Sequence, residues 1–119
     1  MNCPRAPSLH IQPYLSLFFS HVHTRDPKNE TALQSVETFG AALAARFSPI
    51  VGCTRSLDTA NPDVFEVIID NMMNLEVLFN AADLSGNQTL RQLAISHADK
   101  TMMNHVRADG AVSLTSSPT

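Results

Sequence analysis

The residues of this chain best suited to chemistry lie where polar side chains interrupt an apolar segment. Asp70 and Asn71 follow Ile69, and Asn74 comes one helical turn after Asp70. Aspartate and asparagine are poor residues inside a helix because their short side chains compete for backbone hydrogen bonds. The surrounding apolar residues nevertheless recur at helical spacing and predict a helix, with one stripe formed by Phe65, Ile68, Met72, Leu75 and Phe79. Asp70 and the two asparagines are therefore candidate functional residues.

Asp70 has the sequence surroundings of a general acid. In a helix it would lie on a flank beside the apolar residues Val67, Ile69 and Met73. A carboxyl group enclosed by apolar side chains holds its proton more firmly, which is how general acids are tuned in enzymes. A purely structural aspartate is the alternative, and contact with water explains the two asparagines equally well.

The histidines are weaker candidates for a site. His21 and His23 do not share a helix face, so they would bind a metal only with further ligands. His97 and His105 share a face but stand about 12 Å apart along a helix, too far to chelate one ion. We expect His97 to be packed and hydrogen-bonded near a hairpin turn. The sequence has no Gly-rich phosphate loop, nucleophile elbow or Cys-rich zinc pattern, so no metal and no cofactor is expected.

Helix-capping signals punctuate the chain between these candidates. Asp26 and Pro27 predict a helix N-cap followed by proline at the first helical position. Gly86 predicts a helix end, and Asn87 predicts the cap of the next helix. With the apolar periodicity, these signals predict helices over residues 14–23, 27–48, 62–84 and 88–105, with a loop over 51–61.

These four helices predict an all-α fold. Neighbouring helices joined by short links form antiparallel hairpins, and we expect about two, at residues 14–47 and 62–106. The domain then covers residues 14–110, after an irregular leader over 1–13 and before a frayed tail over 111–119.

The composition narrows the classes of partner. The 119 residues have 44% hydrophobic and 16% charged side chains, which is ordinary globular composition, and a net charge of −3. Without a basic surface, neither nucleic acid nor an anionic membrane is an expected partner. Cys3 and Cys53 are expected as free thiols, and the start of the chain does not resemble a signal peptide. These features favour a cytoplasmic location, although the compartment is not determined by them.

Three segments of the chain resemble one enzyme family in order and spacing. The segment Val67-Ile68-Ile69-Asp70-Asn71-Met72-Met73-Asn74-Leu75-Glu76 resembles the signature of the unsaturated glucuronyl hydrolases. Upstream, Ala45-Arg46-Phe47 and Gly52-Cys53-Thr54-Arg55-Ser56-Leu57-Asp58 resemble a passage of that family. Downstream, Ser96-His97-Ala98-Asp99 and Asn104-His105-Val106-Arg107-Ala108-Asp109-Gly110 resemble another. The resemblance covers residues 14–112.

The resemblance implies a fold and a reaction. Enzymes of this family have an (α/α)₆ barrel, of which this chain would supply an internal part. They release a terminal uronic acid that carries a ring double bond from oligosaccharides made by polysaccharide lyases. One aspartate protonates the double bond and assists the attack of water, and the resulting hemiketal opens to release the sugar. By matched position that aspartate is Asp70, as acid/base.

Three positions depart from the pattern that the resemblance implies. Ile11 stands where the family has a second essential aspartate, and Leu57 stands where it has a tryptophan that stacks on sugar. The family's substrate-facing histidine is replaced at the end of the segment Asp109-Gly110-Ala111-Val112-Ser113-Leu114. We therefore expect the isolated chain to have an incomplete site.

Two classes of function follow. The first is an enzyme or enzyme fragment acting on an unsaturated uronate-containing oligosaccharide through Asp70. The second is a non-catalytic helical binding module derived from the same fold. A partial barrel would expose apolar helix faces, so self-association through those faces is a further expectation.

Overall fold

The fold consists of four helices that pack in chain order. A computed structural model describes residues 12–57, 61 and 63–116. Helix α2 packs on α1, α3 on α2, and α4 on α3. The helices are α1 (Gln12–Arg25), α2 (Glu30–Ala44), α3 (Asn74–Ser85) and α4 (Gln88–His105). The expectation of a mostly helical chain with two hairpins is confirmed.

The hairpin between α3 and α4 is built by the residues that the sequence indicates. Gly86 adopts a left-handed φ of 72° directly after α3, a conformation that costs glycine little. The side-chain oxygen of Asn87 accepts a hydrogen bond from the Thr89 N–H at 3.0 Å and caps α4. Both predictions for this connection are confirmed.

The start of α2 differs from the prediction. The N-cap is Asn29, whose side-chain oxygen accepts a hydrogen bond from the Ala32 N–H at 3.0 Å. Asp26 instead accepts a bond from the Lys28 N–H at 3.3 Å within the preceding turn. The prediction that Asp26 and Pro27 open the helix is wrong, because a second capping residue follows shortly after them and Glu30 then suits the first turn.

The hydrophobic core lies between the last three helices. Gly40 of α2 lies very close to α3, since a methyl group there would overlap the Cβ atom of Ala81. The absence of a side chain at Gly40 thus permits close packing of α2 on α3. The buried cluster consists of Val36, Leu43, Leu75, Val77, Leu78, Ala81, Ala82, Leu90 and Ala94.

The segment before α3 is not the α-helix that its periodicity predicts. Val67–Ile68 forms strand β3, and a 3₁₀ helix over Ile69–Met73 leads into α3, which begins only at Asn74. The prediction of a helix from residue 62 is wrong over 63–73. The β-branched side chains of Val67, Ile68 and Ile69 favour extended backbone, and β3 finds a pairing strand far along the chain.

Two short antiparallel ladders accompany the helices. Strand β1 (Phe47–Ser48) pairs with β2 (Cys53–Thr54), inside the region predicted as the end of a helix and a loop. Strand β4 (Thr115–Ser116) pairs with β3. Residues 115 and 116 are thus paired in a ladder within the segment that was expected to be a frayed tail.

Several predictions concern residues outside the described ranges, namely those on Cys3, Ile11, Asp58 and most of the leader. Cys53 is a buried free thiol. Its burial raises the pKa of the thiol, and the nearby positive charge of Lys100 partly opposes that effect. In the described part of the chain, no helix combines the length and apolar character needed to cross a membrane.

Candidate active site

Asp70 is exposed to solvent on the 3₁₀ helix between β3 and α3. The prediction that Val67, Ile69 and Met73 enclose its carboxyl group is wrong. Val67 is buried in β3, and Met73 is 55% exposed. A strand followed by a 3₁₀ helix directs successive side chains differently from a continuous α-helix, so the apolar neighbours in sequence do not surround the carboxylate.

Hydrogen bonds from two other segments hold the backbone on the N-terminal side of Asp70. The Ile69 N–H donates to the carbonyl oxygen of Leu114 at 2.9 Å. The Ile68 N–H donates to the Ser56 hydroxyl oxygen at 3.0 Å, and the Ser56 N–H donates to the carbonyl oxygen of Glu66 at 3.0 Å. The segment before Asp70 therefore lies between the chain near residue 56 and the chain near residue 114.

Two of the three positions that depart from the family pattern, Leu57 and Leu114, lie on the segments that these hydrogen bonds join to the chain before Asp70. Leu57 directly follows Ser56 and is 40% exposed, while Leu114 is 74% exposed. Both large apolar side chains are thus carried by segments that hydrogen-bond to the β3 region preceding exposed Asp70. The third departing position, Ile11, lies outside the described residues.

Asn71 and Asn74 are buried, so the interpretation that they simply contact water is wrong. The Asn71 side-chain amide donates to the Thr54 carbonyl oxygen at 3.0 Å and to the Thr54 hydroxyl oxygen at 2.9 Å. The Asn74 amide donates in turn to the side-chain oxygen of Asn71. Buried amides require such partners because an unpaired one costs about 1–3 kcal/mol.

His97 lies at the far end of this buried network. Its Nδ1 atom accepts a hydrogen bond from the Thr54 N–H at 3.0 Å, with the Thr54 hydroxyl at 3.1 Å. Because Nδ1 accepts, the ring proton resides on Nε2, which has no hydrogen-bond partner in the structure. Burial, with a smaller contribution from the charge of His105, lowers the pKa of His97 to about 4. His97 is packed and hydrogen-bonded as predicted, but it lies in mid-α4 rather than near the hairpin turn.

His105 ties the end of α4 to the segment that leads to β4. Its Nδ1–H donates to the Ser113 carbonyl oxygen at 2.7 Å, and the Ser113 N–H donates to the His105 carbonyl oxygen at 2.8 Å. Between them, Asp109 accepts a bond from the Ala111 N–H at 2.9 Å, and Gly110 adopts a φ of 80°. The Gly110 N–H also donates to the Arg107 carbonyl oxygen at 2.9 Å, so residues 107–110 form a tight turn.

Arg46 and Arg55 border an open cavity of about 390 Å³. The Arg46 Nε–H donates to the Arg55 carbonyl oxygen at 2.9 Å, and the Arg55 guanidinium lies 5.0 Å from the centre of the Phe65 ring. These arginines stabilise the loop after β2 and line the cavity wall.

Neither histidine pair forms a metal site in the structure. Among the described residues, no cluster of three or more histidine, cysteine, aspartate or glutamate side chains could hold an ion.

Thr54 and Ser56 are the site residues that sequence reasoning missed. Both lie within a segment that resembles the family, but neither hydroxyl has a distinctive spacing. Their partners lie between 12 and 43 positions away in the chain. The available signal was the presence of asparagines in a predicted helix, but contact with water explained them equally well and no partner was indicated.

Antiparallel helical hairpins that pack in chain order are the repeating unit of α/α barrels. An unsaturated glucuronyl hydrolase from Streptococcus agalactiae superimposes with a TM-score of 0.80 at 21% identity, over 91% of this chain and 28% of its own. An unsaturated glucuronyl hydrolase specific for heparin superimposes with a TM-score of 0.78 at 31% identity, over 92% of this chain and 32% of its own. The architecture is therefore part of an (α/α)₆ barrel.

The sequence comparison agrees with the structural one. The unsaturated glucuronyl hydrolase of Formosa agariphila is 39% identical over 90 residues, which are 74% of this chain and 22% of that protein. No protein-family model matches the chain. The resemblance described above is confirmed, and the chain is a homologue of part of the unsaturated glucuronyl hydrolases. It spans between about a fifth and a third of the length of these relatives.

Proposed function

We propose that this chain carries the acid/base residue of an unsaturated glucuronyl hydrolase site, and that this residue is Asp70. Its substrate class is an oligosaccharide that ends in an unsaturated uronic acid. The observation that carries the proposal is the exposure of Asp70 on a hydrogen-bonded turn within the matched signature. A carboxylate in this position is accessible to a sugar ring, whereas a buried one is not.

The chemistry requires one group that both gives and takes a proton. The ring double bond is conjugated with the ring oxygen. Protonation of the alkene carbon that is not bonded to this oxygen leaves a cation on the other carbon, which the oxygen stabilises. Water adds to this cation, and the carboxylate accepts the proton that the water loses, which regenerates the acid. The product hemiketal opens and the leaving sugar departs. Asp70 supplies the single carboxyl group that this sequence needs.

Leu57 and Leu114 limit what the chain can do around Asp70. A leucine offers no aromatic face for stacking on a sugar, and it cannot donate or accept a hydrogen bond. Both side chains are exposed on segments bonded to the β3 region. The proposal therefore includes weak turnover by the unaltered chain, and greater turnover once these two side chains are replaced.

The test follows the ultraviolet absorbance of the ring double bond in an unsaturated glucuronyl disaccharide, with protein in excess over substrate. We expect the double variant Leu57→Trp/Leu114→His to consume the double bond faster than the unaltered chain. Adding Asp70→Asn to that double variant removes the gain, while the exposed Asp83→Asn change serves as a matched control and leaves it intact. The proposal is refuted if the gain survives Asp70→Asn, or if no variant consumes the double bond.

A non-catalytic binding module is the second candidate function. It is favoured by large exposed apolar side chains on the outer helices, namely Phe18, Met102 and Met103, which are between 60% and 69% exposed. Large apolar side chains that are exposed to solvent are found on surfaces that meet another protein. Sedimentation of the purified chain distinguishes the two candidates. Self-association that the Met102→Lys/Met103→Lys variant abolishes, without disaccharide consumption in any variant, would support the module.

A further inference from the structure

A buried hydrogen-bond network begins at the residue next to Asp70, and the acid/base reaction itself does not involve this network. Asn71 directly follows Asp70, and its amide is bonded to Thr54 in β2. Thr54 is bonded to His97 in α4. Three segments that are distant in sequence are thus joined behind the exposed carboxylate.

We propose that Thr54 and His97 are positioning residues for Asp70, acting through the side chain of Asn71. This inference rests on the proposed acid/base role of Asp70. The Thr54 hydroxyl oxygen lies 2.9 Å from the Asn71 amide nitrogen and 3.1 Å from His97 Nδ1, so it contacts both ends of the network. His97 Nδ1 also accepts a hydrogen bond from the Thr54 backbone N–H at 3.0 Å, which fixes the position of Thr54.

The 3₁₀ helix depends on such support because it is short. It spans only Ile69–Met73, and 3₁₀ hydrogen bonds have poorer geometry than those of an α-helix. Directly before Asp70 the Ile69 N–H is bonded to Leu114, and directly after it the Asn71 side chain is bonded to Thr54. Asp70 therefore lies between two anchor points, one made by backbone and one made by this network.

Burial makes the second anchor stiff. Thr54, Asn71 and His97 are each at most 1% exposed, so water cannot easily replace a broken bond. A neutral His97 is required because Nδ1 must accept a hydrogen bond, and a protonated ring would offer only donors. Enzymes hold reacting groups within a fraction of an ångström through supports of this kind.

Two buried threonines provide a matched test. Thr54 is 1% exposed and bonded at its hydroxyl, whereas Thr101 is 4% exposed and its hydroxyl has no hydrogen-bond partner in the structure. Thr54→Val and Thr101→Val therefore make the same substitution in similarly buried surroundings. Thr54→Ser keeps the hydroxyl and serves as the rescuing variant.

The first readout is hydrogen exchange of single amides in the full chain, measured by NMR. The Ile69 and Asn74 N–H groups, bonded to the carbonyls of Leu114 and Asn71, flank Asp70 on both sides. We expect Thr54→Val to accelerate exchange at these two amides about tenfold, in line with the loss of a buried hydrogen bond. We expect a smaller change at Ala94 in the core, near-complete restoration by Thr54→Ser, and no change with Thr101→Val.

The second readout is catalytic and is made in the Leu57→Trp/Leu114→His background. Adding Thr54→Val should lower kcat about tenfold or more with little change in KM, because substrate contacts remain while Asp70 loses its position. Adding Thr54→Ser should leave kcat close to its starting value. A merely structural role for Thr54 would lower the folded fraction without separating kcat from KM in this way.

A histidine pair repeats the test without touching Thr54. In His97→Asn the side-chain oxygen is attached where Nδ1 is attached in histidine, so an acceptor is retained, whereas His97→Gln places its polar atoms one bond further out. We expect slower exchange at Ile69 and Asn74 in the asparagine variant than in the glutamine variant.

The outcomes separate the two proposals. Equal exchange in Thr54→Val and Thr101→Val, or equal acceleration at Ala94 and Asn74, would overturn the positioning role whatever the activity. Loss of disaccharide consumption in every protein would overturn the acid/base role of Asp70, and the exchange rates would then still decide whether Thr54 holds the Asp70 turn.

Discussion

Lowering the pH should destabilise this protein through one buried group, His97. Its pKa lies at about 4 in the folded chain against an ordinary value of 6.5. Between these values the unfolded chain binds a proton that the folded chain rejects, so the free energy of unfolding falls as the pH decreases. The contribution of His97 to stability is complete above pH 6.5 and is lost as the pH falls towards 4.

The size of the effect follows from the two values. One pKa unit corresponds to about 1.4 kcal/mol, so full protonation would cost about 3 kcal/mol. At pH 4.5 the same relation gives a loss of between about 2 and 3 kcal/mol. For a domain of this length, that is a large fraction of a typical total of about 5–15 kcal/mol.

Urea unfolding at closely spaced pH values between 7.5 and 4.5 measures this loss. The carboxylates and the other histidines also titrate, so the informative quantity is the difference between the unaltered chain and His97→Asn. We expect the free energy of unfolding of the variant to fall by between about 2 and 3 kcal/mol less than that of the unaltered chain over this interval. His21→Gln, at an exposed position of α1, serves as the control and should leave the slope unchanged.

The reasoning would be refuted by parallel pH profiles for the unaltered chain and His97→Asn. A direct measurement covers the case in which the variant does not fold. The carbon and nitrogen resonances of the His97 ring in the unaltered chain should titrate near pH 4, and a midpoint near 6.5 would contradict the buried, acceptor-only state of Nδ1.

Two further predictions concern packing and accessibility. Gly40→Ala should lower the free energy of unfolding by about 1 kcal/mol, since overlap with Ala81 outweighs the better helix propensity of alanine. Adding Ala81→Gly should recover most of this loss in urea unfolding, and a more stable single variant would contradict the close approach. In a Cys3→Ser background, Cys53 of the folded chain should react with a thiol reagent at pH 8 at least about a hundredfold more slowly than Cys53 of the chain unfolded in urea, because burial hides the thiol and raises its pKa. Equal rates would contradict its burial.

The parts of the fold that the sequence predicts well are those determined by neighbouring residues. Gly86 and Asn87 act within one turn of their own positions, and the apolar residues of α2 and α4 recur at helical spacing. Where two local signals compete, as at Asp26 and Asn29, the sequence alone leaves the helix start in error by a few residues.

The segment before α3 was mispredicted because its structure is determined at long range. Val67 and Ile68 pair with Ser116 and Thr115, almost fifty positions later, and no local period reports such a partner. The apolar residues of this segment happen to recur at helical spacing, although Val67 and Ile68 lie in a strand. Tertiary pairing outweighs a weak local preference in such a case.

The same long-range pairing explains why the polar residues of this segment were predicted as candidates but with the wrong solvent exposure. In a helix, Asp70 would be enclosed and Asn71 could be solvated, whereas the structure exposes Asp70 and buries Asn71. The exchange of roles is physically reasonable, because a side-chain amide can satisfy itself within a protein interior and a carboxylate that must reach a substrate cannot remain there. Residues that conflict with the local rules of a helix are frequent at functional sites. At this site the conflict arises from the buried amide of Asn71, which links the Asp70 turn to Thr54 and His97, and the proposed chemistry belongs to the exposed carboxylate beside it.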